Sequence, residues 1–192
     1  EASISNISDS IGLLALQGPA AIKILKELTD ANLDAIENYH FIADQKVAGI
    51  PHVLISRTGY TGEDGFELYL AGEQTPLLWE KLLAVGEAYG VLPCGLGSRD
   101  TLRLEAGMPL YGHELSEEIT PLAAGLGFAV KTKKASDFIG KASLTAIRED
   151  GPKEKIVGFE AIERGIPREG YKVFSSDGAE IGVVTSGTQS PT

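Results

Sequence analysis

Residues 57–70, RTGYTGEDGFELYL, decide the fold of the first part of the chain because a glycine-rich turn runs directly into an alternating strand. The sequence predicts a tight reversal at Gly62–Gly65. Three apolar residues then alternate onto one face of the strand: Phe66, Leu68 and Leu70. Glu67 and Tyr69 therefore share the opposite face. Since Glu is depleted in strands, Glu67 is either an ordinary solvent-facing residue or a residue that faces a ligand.

Signals for further strands and helices flank this stretch. Upstream, IGLLALQGPAA (11–21) predicts a strand that leads into a helix with Pro19 at its first position. The segment VAGIPHVLISRTG (47–59) predicts another strand. Downstream, TPLLWEKLLAVGEAYG (75–90) predicts a helix that Thr75 caps and Gly90 ends.

The second half of the chain predicts shorter elements. GLGSRDTLRLEAGMPLYG (95–112) reads as a short helix capped by Ser98 and closed by Gly107. LGFAVK (126–131) predicts a strand, and GKASLTAIRED (140–150) predicts a helix.

A polar, charged stretch with a Gly-Pro break, REDGPKEKI (148–156), predicts a domain boundary near residue 152. Three strand-like segments follow it: IVGFEAI (156–162), GYKVFSS (170–176) and AEIGVVTSG (179–187). The predicted fold class is therefore α+β, with antiparallel sheets flanked by helices, followed by the start of an all-β barrel or sandwich domain.

Composition limits the partners of this 192-residue chain. A net charge of −10 and a pI near 4.8 argue against nucleic acid. A single cysteine, Cys94, excludes an internal disulfide and favours a reducing compartment, the cytoplasm or an organelle matrix. The sequence contains no stretch of eighteen apolar residues and no signal peptide, so it does not predict a membrane-spanning segment. The chain ends VVTSGTQSPT, as a strand that enters a turn, so we expect it to be cut from something longer.

Arg99 occupies an unfavourable place in its predicted helix. It falls in the first turn, where the helix dipole is positive and an acidic residue is preferred. Arg103, one turn later on the same face, adds like-charge repulsion that Asp100 relieves in part. Two interpretations of Arg99 stay open: it is a surface arginine paired with a remote carboxylate, or it is a cation that binds an anionic or carbonyl-rich ligand.

Other chemical signatures are absent from the sequence. His40, His52 and His113 are too scattered to predict a metal site, and Cys94 has no CxxC partner and reads as a small buried residue. GLGSRD (95–100) lacks the Lys-Ser/Thr pair of a phosphate loop, and no Ser-His-Asp spacing stands out. Local patterns thus predict a pocket without a reaction.

Three strings together are much more specific: SRTGYTGEDGFELYL (56–70), GLGSRDTLRLEAGMPLYGHEL (95–115) and EIGVVTSGTQSPT (180–192). With LLALQGPAA and TPLAAGLGFAVK, they resemble the T-protein (aminomethyltransferase) family of the glycine cleavage system over essentially the whole chain. The resemblance implies an enzyme that takes an aminomethyl group from the lipoyl arm of H-protein. The family releases ammonia and leaves methylene-tetrahydrofolate. Tetrahydrofolate is thus the implied cosubstrate, lipoylated H-protein the implied partner, and no metal is implied.

The resemblance also implies roles for individual residues. The residues that match Glu67 and Arg99 bind folate in the family, and the match of Tyr60 lines the pterin pocket. Tyr39 and Phe41 are expected to add aromatic walls. A carboxylate suits the amino-pyrimidinone edge of a pterin because it accepts from adjacent N–H donors, while an arginine offers a planar donor fork.

The implied fold is the folate-binding T-protein fold, with three domains around a central folate channel. Residues 12–116 are expected to form the main folate-binding α+β domain, and residues 1–11 and 117–150 parts of a second α+β domain. Residues 151–192 are expected to form the first strands of the C-terminal β-barrel. The aspartate credited with catalysis in the family is expected upstream of this chain, which therefore holds no catalytic residue and is expected to be inactive by itself.

Two alternatives remain. A non-catalytic folate-binding scaffold of the same fold lacks most of GYTGEDGFE and SRDTLRLEAG, and both strings are intact here. The folate domain of a demethylase or amine oxidase shares much of the pattern and differs in what precedes it. The implied location is the cytoplasm, or the mitochondrial matrix in a eukaryote.

Overall fold

A computed structural model describes residues 2–191 of the protein. The chain forms two compact units. The first unit runs to Leu102 and the second begins at Arg103. The division falls inside the third helix, and it differs from the boundary predicted near residue 152. The assignment of residues 1–11 and 117–150 to one domain stays a prediction.

A four-stranded antiparallel sheet forms the first unit, as the sequence predicts. Its strands are β1 (Ile11–Gln17), β2 (Phe41–Val47), β3 (Ile50–Ser56) and β4 (Gly65–Ala71). They lie in the order β1-β4-β3-β2, so β1 and β2 are the edges. A two-residue turn joins β2 to β3, and Ala48 and Gly49 there adopt positive φ angles of 52° and 86°. Left-handed residues at both positions are the geometry that matches the twist of a hairpin.

One face of this sheet packs against helices and forms the core. The buried side chains of the strands include Leu16, Val53, Ile55, Phe66, Leu68 and Leu70. The alternation predicted for β4 is confirmed, because Phe66, Leu68 and Leu70 are buried while Glu67 and Tyr69 are only half-buried. Complete burial of one such apolar side chain contributes about 1.5–3 kcal/mol. The core therefore fixes which face of β4 is left for a site.

Two helices cover the buried face, α1 (Ala21–Lys26) and α2 (Thr75–Gly86). Helix α1 begins at Ala21, two residues later than the Pro19 start that the sequence predicts. Helix α2 lies where it is predicted, but Thr75 is its first residue and caps nothing. Its hydroxyl is buried with no hydrogen-bond partner among the described residues. A side chain at Gly12 would lie 1.8 Å from this hydroxyl, so Thr75 packs against β1 instead.

The remaining helices and strands are α3 (Leu96–Glu105), α4 (Lys141–Asp150), β5 (Lys172–Phe174) and β6 (Glu180–Val183). The last two pair as an antiparallel hairpin, consistent with the start of a barrel. Helix α3 begins at Leu96, so the predicted cap at Ser98 is wrong. The strands predicted at LGFAVK and IVGFEAI are also wrong, because residues 126–131 form turns and residues 156–162 have no regular structure.

Candidate functional site

The loop of residues 57–64 connects β3 to β4, and an ion pair closes its base. Arg57 donates to both oxygens of Asp64, Nε to Oδ1 at 2.9 Å and Nη2 to Oδ2 at 2.8 Å. Arg57 Nη1 also donates to the carbonyl of Ile36 at 3.0 Å. A two-pronged arginine–carboxylate contact fixes direction as well as distance. The loop therefore leaves and returns to the sheet at defined points.

The Arg57–Asp64 ion pair makes a contribution to stability that depends on pH. Hydrogen bonds from Arg57 hold the pKa of the Asp64 carboxyl below its ordinary value. A carboxyl with a lowered folded-state pKa contributes stability above its unfolded pKa, near 4, and loses it as the pH falls through the folded value. We expect Asp64→Asn to lower the Tm most at pH 7, and this difference to shrink below about pH 4.

Thermal melts from pH 7 to pH 3 measure this difference. Asp30→Asn is the matched control, since Asp30 is exposed and makes no ion pair within the described part of the chain. A Tm difference for Asp64→Asn that stays constant down to pH 3 would contradict the role of the ion pair.

Glu67 lies in the middle of the open face of the sheet. The register places Phe41, Ser56, Glu67 and Ala15 in one row across the four strands. Directly paired residues of antiparallel strands share a face, so all four side chains belong to the surface opposite the core. Phe41 is 62% exposed. Glu67 is thus a carboxylate on a largely apolar surface that the described residues leave open.

Two hydroxyls bind the same oxygen of Glu67. Thr58 donates a short hydrogen bond to Oε2, and the hydroxyl of Tyr69 lies 3.4 Å from it. Ser56 Oγ lies 2.9 Å from Thr58 Oγ1 and extends the chain of hydroxyls. Within residues 2–191 no donor contacts the other oxygen, Oε1. The carboxylate is therefore oriented by the protein and keeps one oxygen for another donor.

Tyr69 remains a hydroxyl donor at neutral pH. Burial raises the pKa of the Tyr69 phenol, and the charge of Glu67 and the hydrogen bond to Glu67 raise this pKa further.

The apolar surface around Glu67 continues at Leu13, which lies directly opposite Tyr69 on β1 and is 48% exposed.

Arg99 and Tyr60 contact each other. The guanidinium carbon of Arg99 lies 4.5 Å from the centroid of the Tyr60 ring, within cation–π range. Arg99 is exposed and is the fourth residue of α3, while Tyr60 is half-buried in the loop of residues 57–64. The structure thus brings Tyr60 and Arg99 together, and Thr58 lies in the same loop and binds Glu67. Their part in holding a folate stays a prediction.

The aromatic residues predicted as walls differ in position. Phe41 stands in the same row as Glu67. Tyr39, just before β2, is 83% exposed with a left-handed φ of 65°. The register favours Phe41 as a wall near Glu67, and the role of each residue stays a prediction.

Sequence patterns missed a buried ion pair in the second unit. Arg103, predicted one turn after Arg99 on the same helix face, is 1% exposed and donates to Glu114 Oε2 at 2.8 Å. Its second nitrogen, Nη2, donates to Ser186 Oγ at 2.8 Å. The pair borders a cavity of roughly 920 Å³ within this unit. Arg103 thus has its own counter-ion, and its repulsion with Arg99 stays a prediction.

Glu114 is ionised in this buried position. Burial alone would raise the pKa of its carboxyl, but hydrogen bonds from Thr185 and Ser186 lower it. The backbone N–H of Leu110, 3.0 Å away, and the charge of Arg103 lower it further, so the net shift is downward. A HEL string (113–115) after a helix gave no signal of burial, since Glu is rarely found inside a protein.

The described part of the chain contains no cluster of three or more metal-ligating side chains. His52 binds Asp44, and His113 binds the carbonyl of Thr185 at 3.0 Å. Cys94 is exposed, so its predicted burial is wrong. In residues 2–191, no helix is long and apolar enough to cross a membrane.

Sequence comparisons match both parts of the chain. The model described as "GCVT N-terminal domain" matches residues 1–134, and the one described as "Glycine cleavage T-protein C-terminal barrel domain" matches residues 154–192. The aminomethyltransferase of Bacillus subtilis (strain 168) is 56% identical over 189 residues, which are 98% of this chain and 52% of that protein. The aminomethyltransferase of Geobacillus sp. (strain WCH70) is 58% identical over 187 residues, 97% of this chain and 51% of that protein.

A solved structure agrees with these matches. The glycine cleavage system aminomethyltransferase T from Bartonella henselae superposes with a TM-score of 0.82 at 36% identity, covering 94% of this chain and 48% of that one. The chain spans about half the length of the curated relatives it matches. Fold and sequence agree over both matched regions, and the chain therefore belongs to the glycine cleavage T-protein family.

Proposed function

We propose that the protein is an aminomethyltransferase of the glycine cleavage system. It transfers the methylene carbon of an aminomethyl group, carried on the lipoyl arm of H-protein, to tetrahydrofolate, and ammonia leaves. The observation that carries this proposal is Glu67, a carboxylate oriented by Thr58 and Tyr69 on an open apolar face, in a chain of this family. We place the reaction in the cytoplasm, or in the mitochondrial matrix of a eukaryote.

Glu67 is the proposed partner of the pterin edge. The amino-pyrimidinone ring of a pterin presents adjacent N–H donors, and a carboxylate accepts such donors more strongly than a neutral group does. Since Thr58 and Tyr69 both use Oε2, Oε1 is the oxygen that receives the pterin. Phe41, in the same row of the sheet, supplies an aromatic surface beside the ring.

Tyr60 and Arg99 are the proposed second contact. Their stacking holds the guanidinium plane in place, and Arg99 is exposed, so its N–H groups are available to a folate carbonyl or carboxylate. The chain itself supplies binding and orientation in this proposal. No residue of it is assigned the proton transfers of the reaction.

The function is tested with the full-length protein, aminomethylated lipoyl H-protein and tetrahydrofolate. We expect ammonia release that saturates with tetrahydrofolate and falls to background without it. Tetrahydrofolate binding without any transfer would instead identify a non-catalytic scaffold. Transfer from a methylated amine would identify a demethylase or amine-oxidase domain, and no folate binding would reject all three.

Replacing Arg99 with Lys is expected to weaken tetrahydrofolate binding roughly three- to tenfold. Lysine keeps the charge but loses the planar fork, and its stacking on Tyr60 is weaker, a contact worth about 0.5–1 kcal/mol at an exposed site. Calorimetric titration measures the change. Arg164→Lys is the matched control, since Arg164 is exposed and has no described contact. Equal affinities for Arg99→Lys and the unchanged protein would remove Arg99 from the site.

A further inference from the structure

Gln17, the last residue of β1, is hydrogen-bonded to the loop of residues 57–64 although it is far from it in sequence. Its amide nitrogen Nε2 donates to the carbonyl of Thr58 at 3.1 Å and to that of Phe66 at 3.4 Å. Its Oε1 accepts from the hydroxyl of Thr61 at 3.1 Å. One half-buried side chain thus contacts the beginning and the middle of the loop and the start of β4 just after it.

Two glycines make room for this side chain. A Cβ at Gly59 would lie 1.8 Å from Gln17 Oε1, and a Cβ at Gly65 would lie 2.7 Å from Gln17 Cδ. The next residue, Gly18, has a φ of 111° and donates its N–H to the carbonyl of Asp64 at 2.8 Å. Residues other than glycine rarely adopt that φ. Gly18 therefore allows the backbone turn after Gln17, and the loop glycines leave space for the Gln17 side chain.

The loop fixed in this way holds Tyr60 of one proposed folate contact and Thr58, which orients Glu67 of the other. Tyr60 lies between Gly59 and Thr61, both of which lie against the Gln17 side chain. Thr58, whose carbonyl accepts from Gln17, is also the hydroxyl that orients Glu67. A shift of the loop would therefore displace the Tyr60 ring and release the carboxylate at the same time.

We propose that Gln17 is a positioning residue for the folate site and acts through the loop of residues 57–64. This inference rests on the proposed function. It assigns Gln17 no contact with the substrate: its part is to hold Tyr60 and the donor of Glu67 in place before the ligand arrives. Preorganisation of this kind raises affinity because the ordering is complete before binding.

The test uses Gln17→Met and Gln17→Glu in the full-length protein. Met keeps the length of the side chain and removes all three hydrogen bonds, so we expect the tetrahydrofolate Kd and KM to rise about tenfold while kcat changes less than twofold. Glu is nearly isosteric, but its carboxylate faces the carbonyls of Thr58 and Phe66, and its Kd should exceed that of the Met variant.

Gln45→Met is the matched control. Gln45 lies in the same sheet, and its amide donates to the carbonyl of Ala43, two residues away, at 2.7 Å. Thr61→Val is a milder variant that removes the hydroxyl which donates to Gln17 and which also accepts from the Glu63 N–H at 3.3 Å. We expect a Kd increase of roughly two- to fivefold for Thr61→Val, which keeps both bonds donated by the Gln17 amide, and none for Gln45→Met.

Amide hydrogen exchange without ligand separates the two claims. Faster exchange of the amides of residues 58–64 in Gln17→Met, with the same exchange as the wild type in the rest of the first unit, supports the positioning role. If the wild-type protein binds no folate, the proposed function is rejected, but this exchange result still shows that Gln17 holds the loop in place. Unchanged exchange in the loop overturns the inference. A loosened loop with unchanged tetrahydrofolate affinity overturns it too, as does a lower kcat with unchanged KM.

Discussion

Replacing Arg103 with Met is expected to lower the free energy of unfolding of the second unit by about 3–5 kcal/mol, the usual cost of leaving one member of a buried ion pair alone. Arg103 is almost completely buried and binds Glu114 and Ser186. It also donates to the carbonyl of Met108 at 3.3 Å. Met fills most of the volume but leaves the Glu114 carboxylate charged and without its counter-ion. Urea denaturation followed by circular dichroism measures the loss.

The double variant Arg103→Met/Glu114→Leu is the decisive comparison. Removal of both charges relieves the unpaired carboxylate, so we expect most of the loss to be recovered. Arg168 is exposed and, within residues 2–191, its side chain donates only to the Gly187 carbonyl at 3.4 Å, so Arg168→Met should change the stability by less than about 1 kcal/mol. A loss below about 1 kcal/mol for Arg103→Met would mean that the pair is not closed in solution.

Replacing Glu67 with Gln is expected to weaken tetrahydrofolate binding by about 1.5–3 kcal/mol, or roughly ten- to a hundredfold. The amide oxygen of Gln can still accept from Thr58 and Tyr69, which bind a single oxygen in the present structure. The NH₂ group then takes the place of Oε1 and presents donors to the donors of the pterin. The fold is therefore kept while the ligand contact is lost.

Glu63→Gln provides the matched control for this result. Glu63 is an exposed glutamate in the loop of residues 57–64, and its side chain makes no described hydrogen bond. The same change in charge at this position should leave the Kd within about twofold, since removing an exposed charge has a small effect. An unchanged Kd for Glu67→Gln, with an unchanged Tm, would remove Glu67 from the site.

The parts of the fold with strong local periodicity could be predicted from the sequence. The alternation in FELYL placed Phe66 inside and Glu67 outside, and both positions are confirmed. Helix α2 also formed where its apolar spacing predicts it, but it ends at Gly86. A 3₁₀ turn, Glu87–Tyr89, follows it and ends at the predicted Gly90, which has a left-handed φ of 74°. These elements are encoded within a few residues, so local rules suffice.

The errors share a different physical origin. LGFAVK has the composition of a strand, but no neighbouring strand pairs with it in the described structure, and a strand needs a partner. Ser98 was expected to begin α3, but the helix starts at Leu96 and the Ser98 N–H is bonded to the Gly95 carbonyl. Helix ends depend on backbone bonds that composition alone does not encode.

The candidate site was predicted only in part for a similar reason. Glu67 stands out because a charged residue interrupts a strand, and local rules predict its face. Thr58 and Gln17 carry no such signal, because their roles depend on contacts between β1, β3 and β4. Arg103 and Glu114 each look like surface residues until the fold brings them together.

The most direct test of the account is the crystal structure of the full-length protein with bound tetrahydrofolate. The account predicts at least one N–H group of the amino-pyrimidinone edge within about 3.2 Å of Glu67 Oε1, while Thr58 still donates to Oε2. It also predicts the Arg99 guanidinium stacked on Tyr60 and in contact with the folate. A pterin bound elsewhere, with Glu67 contacting only Thr58 and Tyr69, would contradict the central claim.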